Sequence, residues 1–292
     1  MGPDREATDM DETPTTRHPG EEQVMDNSRV RVQSLQKSFW DESRGEVRAV
    51  DGIDFDCRPG EIFGLLGANG AGKTTTLRML STILKPTGGQ AWLNGHSVLD
   101  EPEAVRRSLG FFSASTALYP RLTGRETLDF FARINRYPAE RVAERVEDLI
   151  ERFGIKEYAG ARVEKLSSGM KQKISIARTI VHDPPVLIFD EPTVGLDIMA
   201  ALEMQRVIRE LREEGKAIIF STHIMSEAEK LCDRIAIIHQ GRILALGTLE
   251  EHRQATGQHY LEDIFVHEVM AAERGEDATA GAGASSESDT SP

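Results

Sequence analysis

The sequence predicts an α/β protein built on a mixed sheet with flanking helices, and three observations carry that prediction. Residues 61–66 form an apolar run that leads into a glycine-rich segment, after which residues 75–80 open a helix. Short apolar runs alternate with segments of helical spacing over most of the chain, the pattern of an α/β layer architecture. From Thr123 to about Lys165 the spacing turns wholly helical, which inserts an arm of helices into the alternation.

Each element follows from its own pattern. Residues 30–35 alternate apolar and polar as a half-buried strand, residues 47–57 offer a second strand region, and residues 61–66 a third. Residues 89–93 read as a further strand that ends in the turn pair Asn94-Gly95. A strand is expected over residues 109–112. In the helical arm, Leu128, Phe131 and Ala132 share one face, and Val142, Val146, Leu149, Ile150 and Phe153 recur at the spacing of another. After the arm come a helix from Ser168, a strand over residues 186–189, a helix over residues 200–213, a strand over residues 217–220, and a strand pair within residues 234–247.

Composition bounds the partners. The chain has 292 residues, 39% of them hydrophobic, with a net charge of −13; the acidic balance argues against a nucleic-acid partner, which would call for a basic face. No apolar run approaches the roughly 18 residues that a membrane span needs. The N-terminus is acidic and polar where a signal peptide would be basic and then apolar, so a cytosolic chain is expected. Cys57 and Cys232, the two cysteines, lie outside any C-x-x-C spacing and are read as reduced packing residues. Residues 1–28 and 271–292 are low in large apolar residues and rich in Asp, Glu, Ser, Thr, Pro, Ala or Gly, and are read as disordered tails. Between them a domain is placed at 29–250, with its helical arm at about 123–165, followed by a helical extension at 251–270.

The segment Gly67-Ala68-Asn69-Gly70-Ala71-Gly72-Lys73-Thr74 fits G-x-x-x-x-G-K-[ST]. Glycines there let successive backbone N–H groups face phosphates, Lys73 reaches the β and γ oxygens, and Thr74 offers a hydroxyl to Mg²⁺. The flanks match: a buried strand precedes the loop, and the helix that opens at Thr75 points its positive dipole end at an anion. A chance lysine beside a glycine turn would lack both. Far downstream, Val186-Leu187-Ile188-Phe189-Asp190-Glu191 ends a second buried strand on paired carboxylates, and the two segments together predict hydrolysis of a nucleoside triphosphate.

At the end of the helical arm, Leu166-Ser167-Ser168-Gly169-Met170-Lys171-Gln172-Lys173 resembles the signature motif of ATP-binding cassette (ABC) ATPases, usually written L-S-G-G-Q. Ser168 stands in place of a glycine and Met170 in place of the glutamine, a version similar to that of exporter ATPases whose membrane subunit is a separate chain. The resemblance covers about residues 30–248. It implies a P-loop NTPase core with an antiparallel β-subdomain and an all-helical signature subdomain. It also implies ATP and Mg²⁺ as cofactors. Gly67 through Thr75 would cradle the nucleotide, Phe39 (or its neighbour Trp40) would stack on adenine, and Ser167, Ser168 and Gly169 would meet a phosphate. Asp190 with Thr74 would hold the metal, and Glu191 would accept a proton from the attacking water. Asp197, in Gly195-Leu196-Asp197, would meet the opposite subunit, and His223 would contact the γ-phosphate.

The same resemblance implies a head-to-tail homodimer around two ATP-Mg sites. It further implies an integral membrane permease as partner, and thus a place at the cytoplasmic face of a membrane, powering export. A soluble ABC ATPase acting on nucleic acid, ribosomes or protein assembly is the alternative. The short arm, the acidic balance and the single cassette favour transport. In relatives a glutamine follows the strand at 109–112; here the ungapped register puts Ala114 in that place, and slower or differently coupled turnover is expected.

Overall fold

A computed structural model describes residues 28–43, 45–113 and 117–284 of the chain, with side chains to residue 275; Ala114 and residues 1–27 and 285–292 lie outside them. The strands are β1 (Val30–Asp41), β2 (Gly45–Cys57), β3 (Ile62–Leu66), β4 (Gly88–Leu93), β5 (His96–Ser97), β6 (Leu109–Ser113), β7 (Val186–Asp190), β8 (Ala217–Thr222), β9 (Arg234–His239) and β10 (Arg242–Gly247). The helices are α1 (Lys73–Leu80), α2 (Pro102–Ser108), α3 (Gly124–Ile134), α4 (Val142–Arg152), α5 (Ser168–Ile180), α6 (Ile198–Glu213), α7 (Met225–Leu231), α8 (Leu249–Thr256) and α9 (Leu261–Ala284).

Two sheets result. One is antiparallel in the order β2-β1-β4-β5; the other runs β10-β9-β3-β8-β7-β6, parallel from β9 to β6 with β10 antiparallel at the edge. The central strands are buried on both faces, which explains why they read as continuous apolar runs instead of alternating ones. Along β7 and β8, Val186, Ile188, Ala217 and Ile219 pack into a cluster shared with β1, β2, β4 and α1. Their neighbours Leu187, Phe189, Ile218 and Phe220 face the opposite way, into a cluster with α3, α4, α5 and α6. The side-chain period of two thus sends one half of each strand toward the antiparallel sheet and the other half toward the helical arm.

The helical arm forms as its spacing predicts. Leu128, Ala132, Val142, Val146, Leu149 and Ile150 are all buried, and Thr123 starts α3 with a capping box in which Glu126 reaches back to its amide. Strand β1 runs past residue 35 to Asp41, bending through register shifts after Val32 where Ser34 takes a positive φ. The Asn94-Gly95 pair turns β4 into β5 with φ of 48° and 83°, as a primed hairpin turn requires.

Helices α2 and α7 do not stand out in the sequence, whereas α8 overlaps the helical extension expected at residues 251–270. Both α2 and α7 are seven residues long, too short for apolar periodicity to show, and neither N-cap side chain makes a capping bond, whereas α8 opens with the Thr248–Glu251 box. At the C-terminal end α9 continues past residue 270, where the sequence boundary fell: Ala271, Ala272, Glu273 and Arg274 are good helix formers.

The topology decides where chemistry can occur. Strands β3, β8 and β7 are adjacent and parallel, with Leu66 opposite Thr222 and Asp190 opposite Ser221. Their C-terminal ends therefore open at one place, the usual site of ligands on open α/β sheets. Gly64 lets Cys232 and the start of β9 pack against β3, since a Cβ there would fall 2.6 Å from Cys232 Sγ.

Candidate functional site

At the end of β3 the chain enters the glycine loop and turns into α1. Gly72 sits at the helix N-cap with φ of 109°, and a Cβ on it would lie 2.6 Å from the Ala49 carbonyl oxygen; at Gly67 the same addition would meet the Ile238 oxygen at 2.3 Å. Only glycine fits either position, so the loop backbone can lie tight against β2 and β9. Lys73 is 4% exposed. Its ammonium donates to the carbonyls of Gly67 at 2.6 Å and Ala68 at 3.1 Å and stands 3.5 Å from Glu191 Oε1. Burial draws its pKa below the usual lysine value, against the opposing pull of the Glu191 and Asp190 carboxylates.

The second half of the site comes from β7 and β8. Asp190, 6% exposed at the end of β7, accepts from Ser221 Oγ at 2.7 Å and from Thr74 Oγ1 at 3.3 Å through the same oxygen, Oδ1. That joins the glycine loop to β7 and β8 through one carboxylate. Glu191 follows with φ of 49°, a left-handed conformation rare for a residue with a Cβ. Its amide donates to both the hydroxyl and the carbonyl oxygen of Ser221, each at 3.2 Å. The turn lifts the Glu191 side chain out of the sheet, where His223 Nδ1 lies 3.1 Å from its Oε1. Held strain of this kind is a mark of functional positions.

The structure therefore brings together Gly67, Ala68, Lys73, Thr74, Asp190, Glu191 and His223. Asn69, Gly70 and Ala71 lie in the same loop, Gly70 with φ of 82° and open space where a Cβ would be, and Thr75 lies in the first turn of α1. Ser167, Ser168 and Gly169 start α5, a different helix. Ser167 caps it by accepting from the Met170 amide at 3.3 Å, and among the described residues nothing beyond its own helix comes within 4 Å of a Cβ placed on Gly169. Asp197 caps α6 through the Ala200 amide at 2.9 Å. Phe39 stands on β1, 43% exposed, with Lys37 Nζ 5.1 Å from its ring centre; Trp40 beside it is 80% exposed.

Sequence reasoning passed over two residues. Ser221 is fully buried and bonds both Asp190 and the Glu191 amide; only the parallel register of β7 and β8 places it there. Gln172, inside the signature segment, donates from Nε2 to the Pro192 carbonyl at 2.7 Å, while Lys173 pairs with Glu203 at 2.8 Å. Through them α5 is tied to the turn after Glu191 and to α6.

Comparison with known proteins agrees with this arrangement. The chain matches the ABC transporter family over residues 50–194. It is 37% identical over 242 residues to the ABC transporter ATP-binding protein NatA of Bacillus subtilis (strain 168), a match that covers 82% of this chain and 98% of that protein. It is 38% identical to the daunorubicin/doxorubicin resistance ATP-binding protein DrrA of Streptomyces peucetius, covering 77% of this chain and 68% of that one. A solved structure described as the ATP-binding subunit of an ABC transporter superposes with a TM-score of 0.75 at 30% identity, covering 82% of this chain and 99% of the other. With glycine loop, paired carboxylates and histidine gathered on the ends of parallel strands, the chain belongs to the ABC transporter family, as an ATP-binding and ATP-hydrolysing subunit.

Proposed function

We propose that this subunit binds ATP with Mg²⁺ at the loop of residues 67–75, hydrolyses it with Glu191 as general base, and powers export through a separate membrane permease. The observation that carries the reading is the convergence of Lys73, Thr74, Asp190, Glu191 and His223 at the ends of β3, β7 and β8. The glycine loop presents backbone amides to the phosphates, and Lys73 supplies a charge that its burial leaves poorly solvated and ready for an anionic partner. Phe39, exposed on β1, is the stacking surface for adenine.

The donor set suits a hard divalent cation: the Thr74 hydroxyl and the Asp190 carboxylate offer oxygens on groups already in contact at 3.3 Å. Mg²⁺ held there would neutralise charge on the β- and γ-phosphate oxygens. Glu191 takes the proton of the attacking water, its carboxylate aimed by the left-handed turn. His223, within hydrogen-bond distance of Glu191, is placed to sense the γ-phosphate.

Ser167, Ser168 and Gly169 have no part in this chain's own cluster. Gly169 is open on its outer side, and Val194, Ile198, Met199 and Leu202, beside Asp197, are exposed apolar residues. Both features suit a head-to-tail pair in which each signature meets the other copy's loop. Among the described residues no helix is long and apolar enough to cross a membrane; the permease is the partner that would hold this subunit at the cytoplasmic face.

The test is to isolate the chain from detergent-solubilised membranes of its own cell and identify what accompanies it by mass spectrometry. A polytopic membrane protein in stoichiometric amount is the expected result. Recovery with soluble factors alone would replace transport by work on nucleic acid, ribosomes or protein assembly.

A further inference from the structure

Glu227 is a carboxylate that the site described so far does not use, although it is 7% exposed. It lies in the first turn of α7, directly after the loop that carries His223. Thr222 Oγ1 donates to Glu227 Oε2 at 3.0 Å and accepts from the Ile224 amide at 3.0 Å. The Ile224 carbonyl in turn accepts from the Glu227 amide at 3.1 Å. These bonds close a ring around the two residues that flank His223, while the His223 side chain takes no part in it.

We propose that Glu227 and Thr222 are positioning residues: through this ring they set the His223 backbone so that the imidazole stays against Glu191. Burying a carboxylate is costly unless its oxygens are bonded, and a purely structural turn could use the threonine hydroxyl without an acid partner. Accepting from Thr222 fixes the rotor of that hydroxyl, which leaves its lone pair aimed at the Ile224 amide. The peptide units on both sides of His223 are then pinned, one by β8 and the ring, the other by α7. Thr222 is also opposite Leu66 in the sheet, so the ring is anchored to the strand that feeds the glycine loop. The inference rests on the reading of His223 as a catalytic group.

The test is a set of variants in the full chain, read by steady-state ATP hydrolysis. Thr222→Val keeps the volume and removes both hydroxyl bonds; kcat is expected to fall about tenfold, the worth of one or two lost hydrogen bonds, with KM for ATP within about twofold of the parent. Thr222→Ser and Glu227→Gln retain the hydroxyl and an acceptor and are expected to restore most of kcat, whereas Glu227→Ala is not. The imidazole Cε1–H resonance of His223, assigned by its loss in His223→Ala, should shift in Thr222→Val and return in Thr222→Ser. Parental kcat and an unmoved resonance in Thr222→Val overturn the inference, as does an equal loss in the Ser and Val variants with KM rising alongside. If His223→Ala itself hydrolyses at the parental rate, the fault lies with the catalytic reading of His223.

Discussion

His223 Nδ1 lies 3.1 Å from Glu191 Oε1, although the two residues follow different strands and neither belongs to the glycine loop. The contact couples the proposed base to the residue proposed to sense the γ-phosphate. It exists because β7 and β8 are parallel neighbours in a register that sets Asp190 opposite Ser221, so that Glu191 and His223 leave adjacent strand ends, His223 one residue further along.

Glu191→Gln is the sharpest probe of the base. The amide keeps the size and cannot take a proton, so kcat should fall by about 10²- to 10⁴-fold while nucleotide affinity is retained. With ATP present the variant should run as a stable dimer on gel filtration. Hydrolysis at the parental rate would remove Glu191 from the role.

Lys73→Ala should weaken nucleotide binding itself, by on the order of 10- to 100-fold, the worth of a charge-assisted contact to phosphate. Equilibrium titration with a fluorescent ATP analogue reads this directly, and an unchanged affinity would contradict the cradle. Without nucleotide, Lys73→Met should unfold at a higher denaturant concentration at pH 7, because burial disfavours the lysine cation. That difference should shrink as pH rises and the folded chain sheds the proton before the unfolded one does.

Ser221→Ala removes the hydroxyl shared by Asp190 and the Glu191 amide. The Glu191 amide keeps the Ser221 carbonyl oxygen, so the fold should survive at a cost of about 1 to 3 kcal/mol for the weakened buried carboxylate. Because Asp190 and the Glu191 turn both lose a partner, kcat should drop about tenfold or more. Chemical denaturation paired with ATPase assays separates the two effects; a stability loss without a rate loss would make Ser221 a packing residue.

His182 predicts an acid-side weakness. Burial holds its imidazole at about 4, below the usual 6.5, with Nε2 against the Leu109 carbonyl at 3.2 Å. Above about pH 6.5 both folded and unfolded chains keep it neutral. As pH falls toward 4, the unfolded chain gains a proton that the folded chain refuses, and stability is lost through that window. His182→Gln should flatten the dependence, sparing about 1 to 2 kcal/mol between pH 7 and pH 5. Equal slopes in parent and variant would sink the assignment.

Much of this protein could be read from its residues in order. The glycine loop, the apolar runs at β3, β7 and β8, the helical arm and the paired Asp190 and Glu191 all announce themselves locally, because each depends on side-chain period or on a contiguous motif. The short helices α2 and α7 did not, since a turn or two of helix leaves no periodic trace and owes its place to packing. Ser221 and Glu227 were equally silent: a serine and a glutamate are common residues, and nothing in the chain order says that one faces Asp190 and the other closes a ring behind His223. The sequence by itself determined which chemical groups are present and which segments carry them. Tertiary structure alone decided how they meet, because strand order and register fix distances between residues remote in sequence, and a one-residue slip in β8 would turn Ser221 away from Asp190.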